Sequence, residues 1–440
     1  MSAQTVRPLP DLEPAVPLVL PPQAEAVLPS GLTVVAIARR TTPLVEARLW
    51  VPMAEVDIAE GALLAQTLFS GTGTRSAAVI AEETQAIGGS LDCGASPDRW
   101  LVSGDCLASG LDRLLEVLAD ALCDARYPDH EFSVERDRLA DRFRVTLSQP
   151  PALARAELLK RVYGTHPYAV ETPDPERVGA VEAGRVRALH ERRMRPDGAV
   201  LVLVGDLDPG EAIELAGRRL GGWAGSGHKV TMPPAPSPVP GPLLLVDRPG
   251  TLQSSIRFAL PAPGRDHPDS AAMQLANLIF GGYFSSRWTE NIREDKGYSY
   301  GPASIVDHSL GGSAVILSVD VSTEVTAPAL VETLYELGRI ATLPPEPEEV
   351  EQARRYAIGT LQVATATQAG LARFAGTLAG FGLRLDHLAR RVERLTAATV
   401  EDVHRVASTY MGPGRATAVL LGDAERVERS LSSVMPVETR

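Results

Sequence analysis

The sequence predicts an α+β protein of two tandem homologous domains, each a mixed or antiparallel sheet with helices packed on one face. Three observations predict it. A helix, a short loop, a continuous apolar strand and a Gly-Asp pair occur twice, ending at Asp206 and at Asp423. The stretch from Glu82 to Asp105 is echoed by that from Ile292 to Asp320 as helix, glycine turn, strand, strand. Between the halves, Pro233, Pro234, Pro236, Pro238, Pro240 and Pro242 give a stiff, extended spacer rather than a packed element. The expected organisation is therefore an extended proline-rich arm over 1–22, a first domain over 23–230, a linker over 231–242 and a second domain over 243–440.

Within the first domain, Leu32 to Ala38 and Val45 to Pro52 are β-type runs, and Gly61 to Phe69 and Ala77 to Ile87 read as helices. Gly88-Gly89 ends the second helix, and Leu91 to Cys93 and Trp100 to Cys106 follow as strands. Leu111, Leu114, Leu115 and Leu118 share one face of a helix that runs to Leu122. Asp129 to Leu147 is a long charged helix, Val178 to Arg193 is helical, and Ala199 to Val204 is a buried strand. In the second domain the strands are Leu243 to Val246, Gln253 to Leu260, Ser313 to Val321 and Thr417 to Leu421. The helices are Ser270 to Phe280, Ala327 to Ala341, a long region from Glu348 to Phe381, and Val400 to Tyr410.

Composition narrows the function. A chain of 440 residues with 44% hydrophobic content supports two real cores. Its formal net charge of -12 argues against nucleic acid and against an anionic membrane surface as partners. No apolar run reaches the length of a membrane span, and the N-terminus lacks a basic region followed by an apolar run. Cys93, Cys106 and Cys123 are odd in number and have no CxxC spacing, which fits buried thiols in a reducing cytoplasm rather than a disulfide framework or a zinc ribbon.

The stretch from Phe284 to Gly301 organises the second domain. Phe284, Trp288 and Ile292 recur every four residues, which places them on one buried helix face. Ser285 or Ser286 can cap this helix, and Gly297 ends it in the left-handed region. Tyr298 and Tyr300 then alternate onto one face of a strand. Arg293 on the last turn and Tyr300 across the bend would point two hydrogen-bond donors into the same space. Taken alone, the helix dipole explains the arginine and β-propensity the tyrosine.

The motifs give the pair more weight. Leu-Pro-Ser-Gly-Leu-Thr-Val-Val (28–35), Leu-Phe-Ser-Gly-Thr (68–72), Gly-Thr-His-Pro-Tyr (164–168), Val-Leu-Val-Gly-Asp (202–206) and Ile-Arg-Glu-Asp-Lys-Gly-Tyr-Ser-Tyr-Gly (292–301) span most of the chain. With these motifs the sequence resembles the pitrilysin/insulinase family, the inverzincins. It most resembles the bacterial branch related to mitochondrial processing peptidase and the core proteins of cytochrome bc1.

Active members carry an H-x-x-E-H helix just before the Leu-Phe-x-Gly-Thr run, two histidines binding zinc and the Glu serving as base. The corresponding positions here read Ala62-Leu63-Leu64-Ala65-Gln66. The family's third ligand, a Glu on a later helix whose pattern begins at Glu135-Arg136, falls on Arg142. None of the eight histidines has another four residues on. No metal site and no cofactor are therefore expected in this chain.

The resemblance also implies what the chain retains. Arg293 and Tyr300 stand at the family positions that bind substrate and stabilise charge on the scissile carbonyl. The implied assembly is a heterodimer in which a homologous partner with H-x-x-E-H holds the zinc and the substrate is a peptide. Two other readings stay open. One is a catalytically silent scaffold resembling the bc1 core proteins. The other is a peptide-binding protein that uses the chamber without hydrolysis.

Overall fold

The strands form where apolar residues alternate or run on, and the helices where they recur every three or four positions. The computed structural model describes residues 19–227 and 230–440. Its first half runs β1 (Gln23–Val27), β2 (Thr33–Ala38), β3 (Leu44–Pro52), α1 (Ile58–Thr67), α2 (Ala77–Ala86), β4 (Ser90–Ser96), β5 (Arg99–Leu107), α3 (Leu111–Asp124), α4 (Asp129–Ser148), α5 (Pro150–Tyr163), α6 (Pro175–Gly179), α7 (Ala183–Arg193), β6 (Val200–Gly205) and α8 (Pro209–Leu220). The second runs β7 (Leu243–Asp247), β8 (Gln253–Pro261), α9 (Ser270–Asn277), α10 (Arg287–Thr289), β9 (Ala303–Ser309), β10 (Gly312–Ser322), α11 (Thr326–Thr342), α12 (Pro347–Thr365), α13 (Gln368–Gly380), α14 (His387–Ala397), α15 (Val400–Tyr410), β11 (Thr417–Gly422), α16 (Ala424–Ser432) and β12 (Val437–Thr439).

Each half builds one six-stranded mixed sheet. The strand orders are β1-β2-β6-β3-β5-β4 and β12-β7-β11-β8-β10-β9. The five strands β2 to β6 repeat as β7 to β11 in the same spatial order, with β2–β6 and β7–β11 parallel and the remaining shared pairs antiparallel. Only the outermost strand differs. β1 precedes β2 and pairs with it antiparallel, whereas β12 comes last and pairs with β7 parallel.

Both faces of each sheet are covered. One face packs on its own half's helices, such as α1, α3 and α7 in the first half and α9, α11 and α15 in the second. The other face is closed by a helix from the opposite half. Leu371, Ala372, Ala375 and Leu378 of α13 pack on Ile37, Val202 and Val204 of the first sheet. Reciprocally, Leu158 and Val162 of α5 pack on Leu244, Ala259, Ile316 and Val419 of the second. Side chains alternate between sheet faces, so Leu201 and Leu203 join one core while Val202 and Val204 join the other. That is why β6 reads as an unbroken apolar run.

Several expected elements differ in detail. The span Val178 to Arg193 is two helices, because the backbone leaves the helix between Gly179 and Ala183. The region Glu348 to Phe381 is also two, and Thr367 restarts it by accepting from the Gly370 amide. α5 opens on Pro150-Pro151, which look like a break but sit at the first helical positions, where no amide donor is needed. β1, β12, α8, α14 and α16 are further additions. Of the expected arm, residues 1–18 lie outside the described residues. Residues 231–242 form no helix or strand and contact both halves: Thr417 donates to the Val239 carbonyl (2.7 Å) and the Ala235 amide to Gly311 (2.8 Å), while Arg161 donates to the Pro242 carbonyl (3.0 Å) and Met232 packs on Ala54 and Tyr168. Among the described residues no helix is long and apolar enough to cross a membrane.

Gly380, at the end of the exchanged helix α13, lies so close to the first sheet that a Cβ there would stand 2.2 Å from the Trp50 ring. The indole is itself almost fully buried, 3% exposed. Gly380→Ala is expected to destabilise the protein by about 1–3 kcal/mol, the usual range for overpacking, measured by denaturant unfolding.

Candidate functional site

The first region of interest is α1, which occupies the place where the resemblance puts a zinc helix. Asp57 caps it, accepting from the Ala59 and Glu60 amides (2.9 and 3.4 Å). Leu63 and Leu64 are fully buried and Ala65 nearly so, so this stretch of the helix is plain core. Gln66 turns instead toward α4. Its amide nitrogen donates to Glu135 Oε2 (2.8 Å), and its oxygen accepts from Arg142 Nη2 (2.9 Å). Glu135 Oε1 also accepts from Arg138 (2.6 Å).

The position of the second family histidine and that of the third family ligand are thus in contact, joined by an amide and a guanidinium. A guanidinium has only donors and repels a cation. Among the described residues no group of three or more His, Cys, Asp or Glu side chains is arranged to hold a metal ion. Beside Gln66 lies an open groove of about 470 Å³, lined in part by Phe69, Leu91, His130, Glu131 and Glu135. Cys93, at its floor, is buried, and burial with Asp92 adjacent pushes its thiol far above the ordinary range, so it is not a thiolate ligand; Cys106 is buried too, but Cys123, expected to be buried, is exposed near the end of α3.

The second region is the stretch from Phe284 to Gly301. Here the chain departs from a simple helix. After α9 it makes a π-helical turn at Leu278–Gly282, then the single α-turn α10, then a second π-helical turn at Glu290–Asp295. Ser286 takes the N-cap position, but its hydroxyl donates to Thr289 (2.9 Å) rather than accepting from a backbone amide. Gly297 does end the turn at φ +64°.

Trp288 and Ile292 are fully buried, Trp288 stacking on Phe280 at 5.3 Å and donating to Thr333 (3.1 Å). Phe284 is not on that face. It precedes the first helical residue, Arg287, and is 60% exposed. The two tyrosines also part company. Residues 298–300 form no strand, which begins only at Ala303. Tyr298 packs against the second core, while Tyr300 is 86% exposed.

These departures bring Arg293 and Tyr300 together by a route that strand alternation did not foresee. The Arg293 guanidinium lies 4.7 Å from the Tyr300 ring and 4.5 Å from the Phe284 ring, contacted by two aromatics. Each such contact is worth about 0.5–1 kcal/mol at an exposed site. Its Nε also lies 3.2 Å from Glu294 Oε1, a half-exposed pair that water screens. The platform beneath is fixed by polar anchors. Arg287 makes a bidentate pair with Glu349 (2.6 and 2.5 Å), and Asn291 donates to Glu332 and Glu336 (3.0 and 2.9 Å). Phe284 is the member of this cluster that sequence reading placed in the core. Ser286 was the signal: a helix capped there begins at Arg287 and leaves Phe284 outside it.

Known proteins agree with this architecture. Residues 34–176 match the family described as Insulinase (Peptidase family M16), and residues 180–356 match the Peptidase M16 inactive domain. An uncharacterised zinc protease of Mycobacterium tuberculosis is 25% identical over 431 residues, 94% of this chain and 96% of the relative. Cytochrome b-c1 complex subunit 1 of Bos taurus is 23% identical over 217 residues, 49% of this chain and 45% of the relative. The crystal structure of a peptidase M16 inactive domain from Pseudomonas fluorescens superposes with a TM-score of 0.81 at 22% identity, covering 91% of this chain and 98% of that one, which shows a shared fold. The chain belongs to the peptidase M16/insulinase family. Among the described residues it carries no identifiable metal-binding motif.

Zinc titration of the purified chain, followed by calorimetry, is expected to show no stoichiometric tight site. The variant carrying Ala62→His, Ala65→Glu, Gln66→His and Arg142→Glu is expected to gain one, because it restores two nitrogen ligands and a carboxylate across the α1–α4 contact.

Proposed function

We propose that this chain is the non-zinc-binding subunit of a heteromeric, zinc-dependent endopeptidase, working in the cytoplasm with a homologous partner subunit that bears H-x-x-E-H. The observation that carries the reading is a contrast. Arg293 and Tyr300 sit against each other near the surface, while the positions that would ligate metal are filled by Ala62, Gln66 and Arg142.

The partner's metal would supply the attacking hydroxide. This chain's part is to bind and to stabilise. Two aromatic rings against the Arg293 guanidinium limit its motion, so little reorganisation is needed when a peptide arrives. The in-plane N–H groups and the Tyr300 hydroxyl are donors suited to a peptide carbonyl, and their hydrogen bonds strengthen as negative charge builds on its oxygen. The peptide would bind extended, added to a sheet edge, which favours short or unfolded substrates.

A second reading is a catalytically silent assembly subunit. The match to a subunit of the bovine cytochrome b-c1 complex, over about half of each chain, favours it. The two separate in one experiment. The chain is mixed with a zinc-bearing homologue, complex formation is followed by sedimentation, and peptide cleavage is assayed. Arg293→Ala and Tyr300→Phe are expected to leave assembly intact and to lower the rate by roughly 100- to 1,000-fold each, as for loss of one preorganised donor. An unchanged rate in both variants would overturn the subunit reading and leave the scaffold.

A further inference from the structure

A second concentration of positive charge lies in the C-terminal half, apart from Arg293 and Tyr300. A cavity of about 370 Å³ opens between the β8–α9 connection, α9, β9 and α14. His387, Arg391 and Arg394 stand at i, i+4 and i+7 on α14, so all three lie on the face that lines it. Arg265 enters from the β8–α9 connection and His308 from β9. In a chain of net charge -12, three guanidinium groups share this one cavity.

Their charges are poorly matched by the protein. Among the described residues Arg391 donates only to a neutral acceptor, Gln274 Oε1 (3.1 and 2.8 Å). Arg265 stacks on Phe381 at 4.8 Å, which covers one face of the guanidinium, while its buried Nε has no hydrogen-bond partner among the described residues. The neighbouring carboxylate is Asp266, itself 60% exposed and no closer than 3.5 Å to His387 and 3.7 Å to Arg394. Asp307 follows Val306 in β9 and alternation turns it to the other sheet face, 3.6 Å from Arg155 of α5, so its charge reaches Arg265 only as a partial offset to burial and the neighbouring arginine.

A buried charge without a partner is costly, and arginine does not escape by losing its proton at neutral pH. Burial and the facing guanidinium of Arg391 push Arg265 down to about 10, and burial with both arginines nearby holds His308 down to about 3. At neutral pH the imidazole of His308 is therefore neutral, and the cavity's charge rests on the arginines.

We propose that this cavity binds an oxyanion, a carboxylate or phosphate group, gripped by Arg265 and Arg391 with Arg394 at the rim. Planar guanidinium donors suit either group, since both present paired oxygens. The proposal is independent of the reading of Arg293 and Tyr300.

Thermal unfolding of the full chain at constant ionic strength tests it. The additives are inorganic phosphate, an acetylated tripeptide with a free C-terminal carboxylate, and the same tripeptide as its amide. A saturable rise in Tm with phosphate or the free acid, but not the amide, is expected. Arg265→Gln and Arg391→Gln should each weaken the response about tenfold or more, about 1.4 kcal/mol. Arg390→Gln, which removes only an exposed pair with Asp386 on α14, should leave it unchanged. Response to the free acid alone identifies a peptide carboxylate, and response to phosphate alone identifies a phosphate ligand. No saturable response to either, or one that survives in both arginine variants, overturns the proposal. Should one variant fail to fold, the other and Arg394→Gln carry the same comparison.

Discussion

The whole structure depends on an exchange of helices. Each sheet has two apolar faces, and each half of the chain brings enough of its own helices to cover only one. α13 closes the first sheet and α5 closes the second, so each half completes the other's core. Burying a Leu or Val side chain is worth about 1.5–3 kcal/mol. Leu371, Leu378, Leu158 and Val162 together therefore hold the halves as one body. The exchange also explains Gly380, which must lack a side chain because α13 ends against the face of Trp50.

Much of this was legible in the residues. The repeat was visible because β6 and β11 are both apolar on two faces and both end in Gly-Asp, at Gly205-Asp206 and Gly422-Asp423. The exchange itself was hidden. An apolar strand buried on both faces announces that something covers it, but not which part of the chain. Helix α5 is masked in the sequence because its opening prolines, Pro150 and Pro151, mimic a loop. The breaks at 180–182 and 366–367 were missed because neither carries a proline.

At the candidate site the sequence named the right neighbours for partly the wrong reason. Arg293 and Tyr300 do meet, yet not as an arginine on a helix facing a tyrosine on a strand. The π-helical turn at Glu290–Asp295 and the loop after Gly297 set their contact, and no spacing rule signals either. Phe284 was assigned to the core by its four-residue interval from Trp288, whereas it stands outside against the guanidinium. The resemblance brings positions 66 and 142 together, but the bonding of Gln66 to both Glu135 and Arg142 needed coordinates, because the partners lie 69 and 76 positions away in sequence.

That pairing has an evolutionary consequence. Gln66 is satisfied at both ends, its nitrogen by a carboxylate and its oxygen by a guanidinium. Histidine at position 66 alone would have to rebuild its contacts to both partners, and glutamate at 142 alone would strip the Gln66 oxygen of its donor and set a further anion near Glu135. Either single step loses hydrogen bonds to charged groups and gains no ion. No single substitution at these positions assembles a set of metal ligands; Ala62, Gln66 and Arg142 would all have to change together.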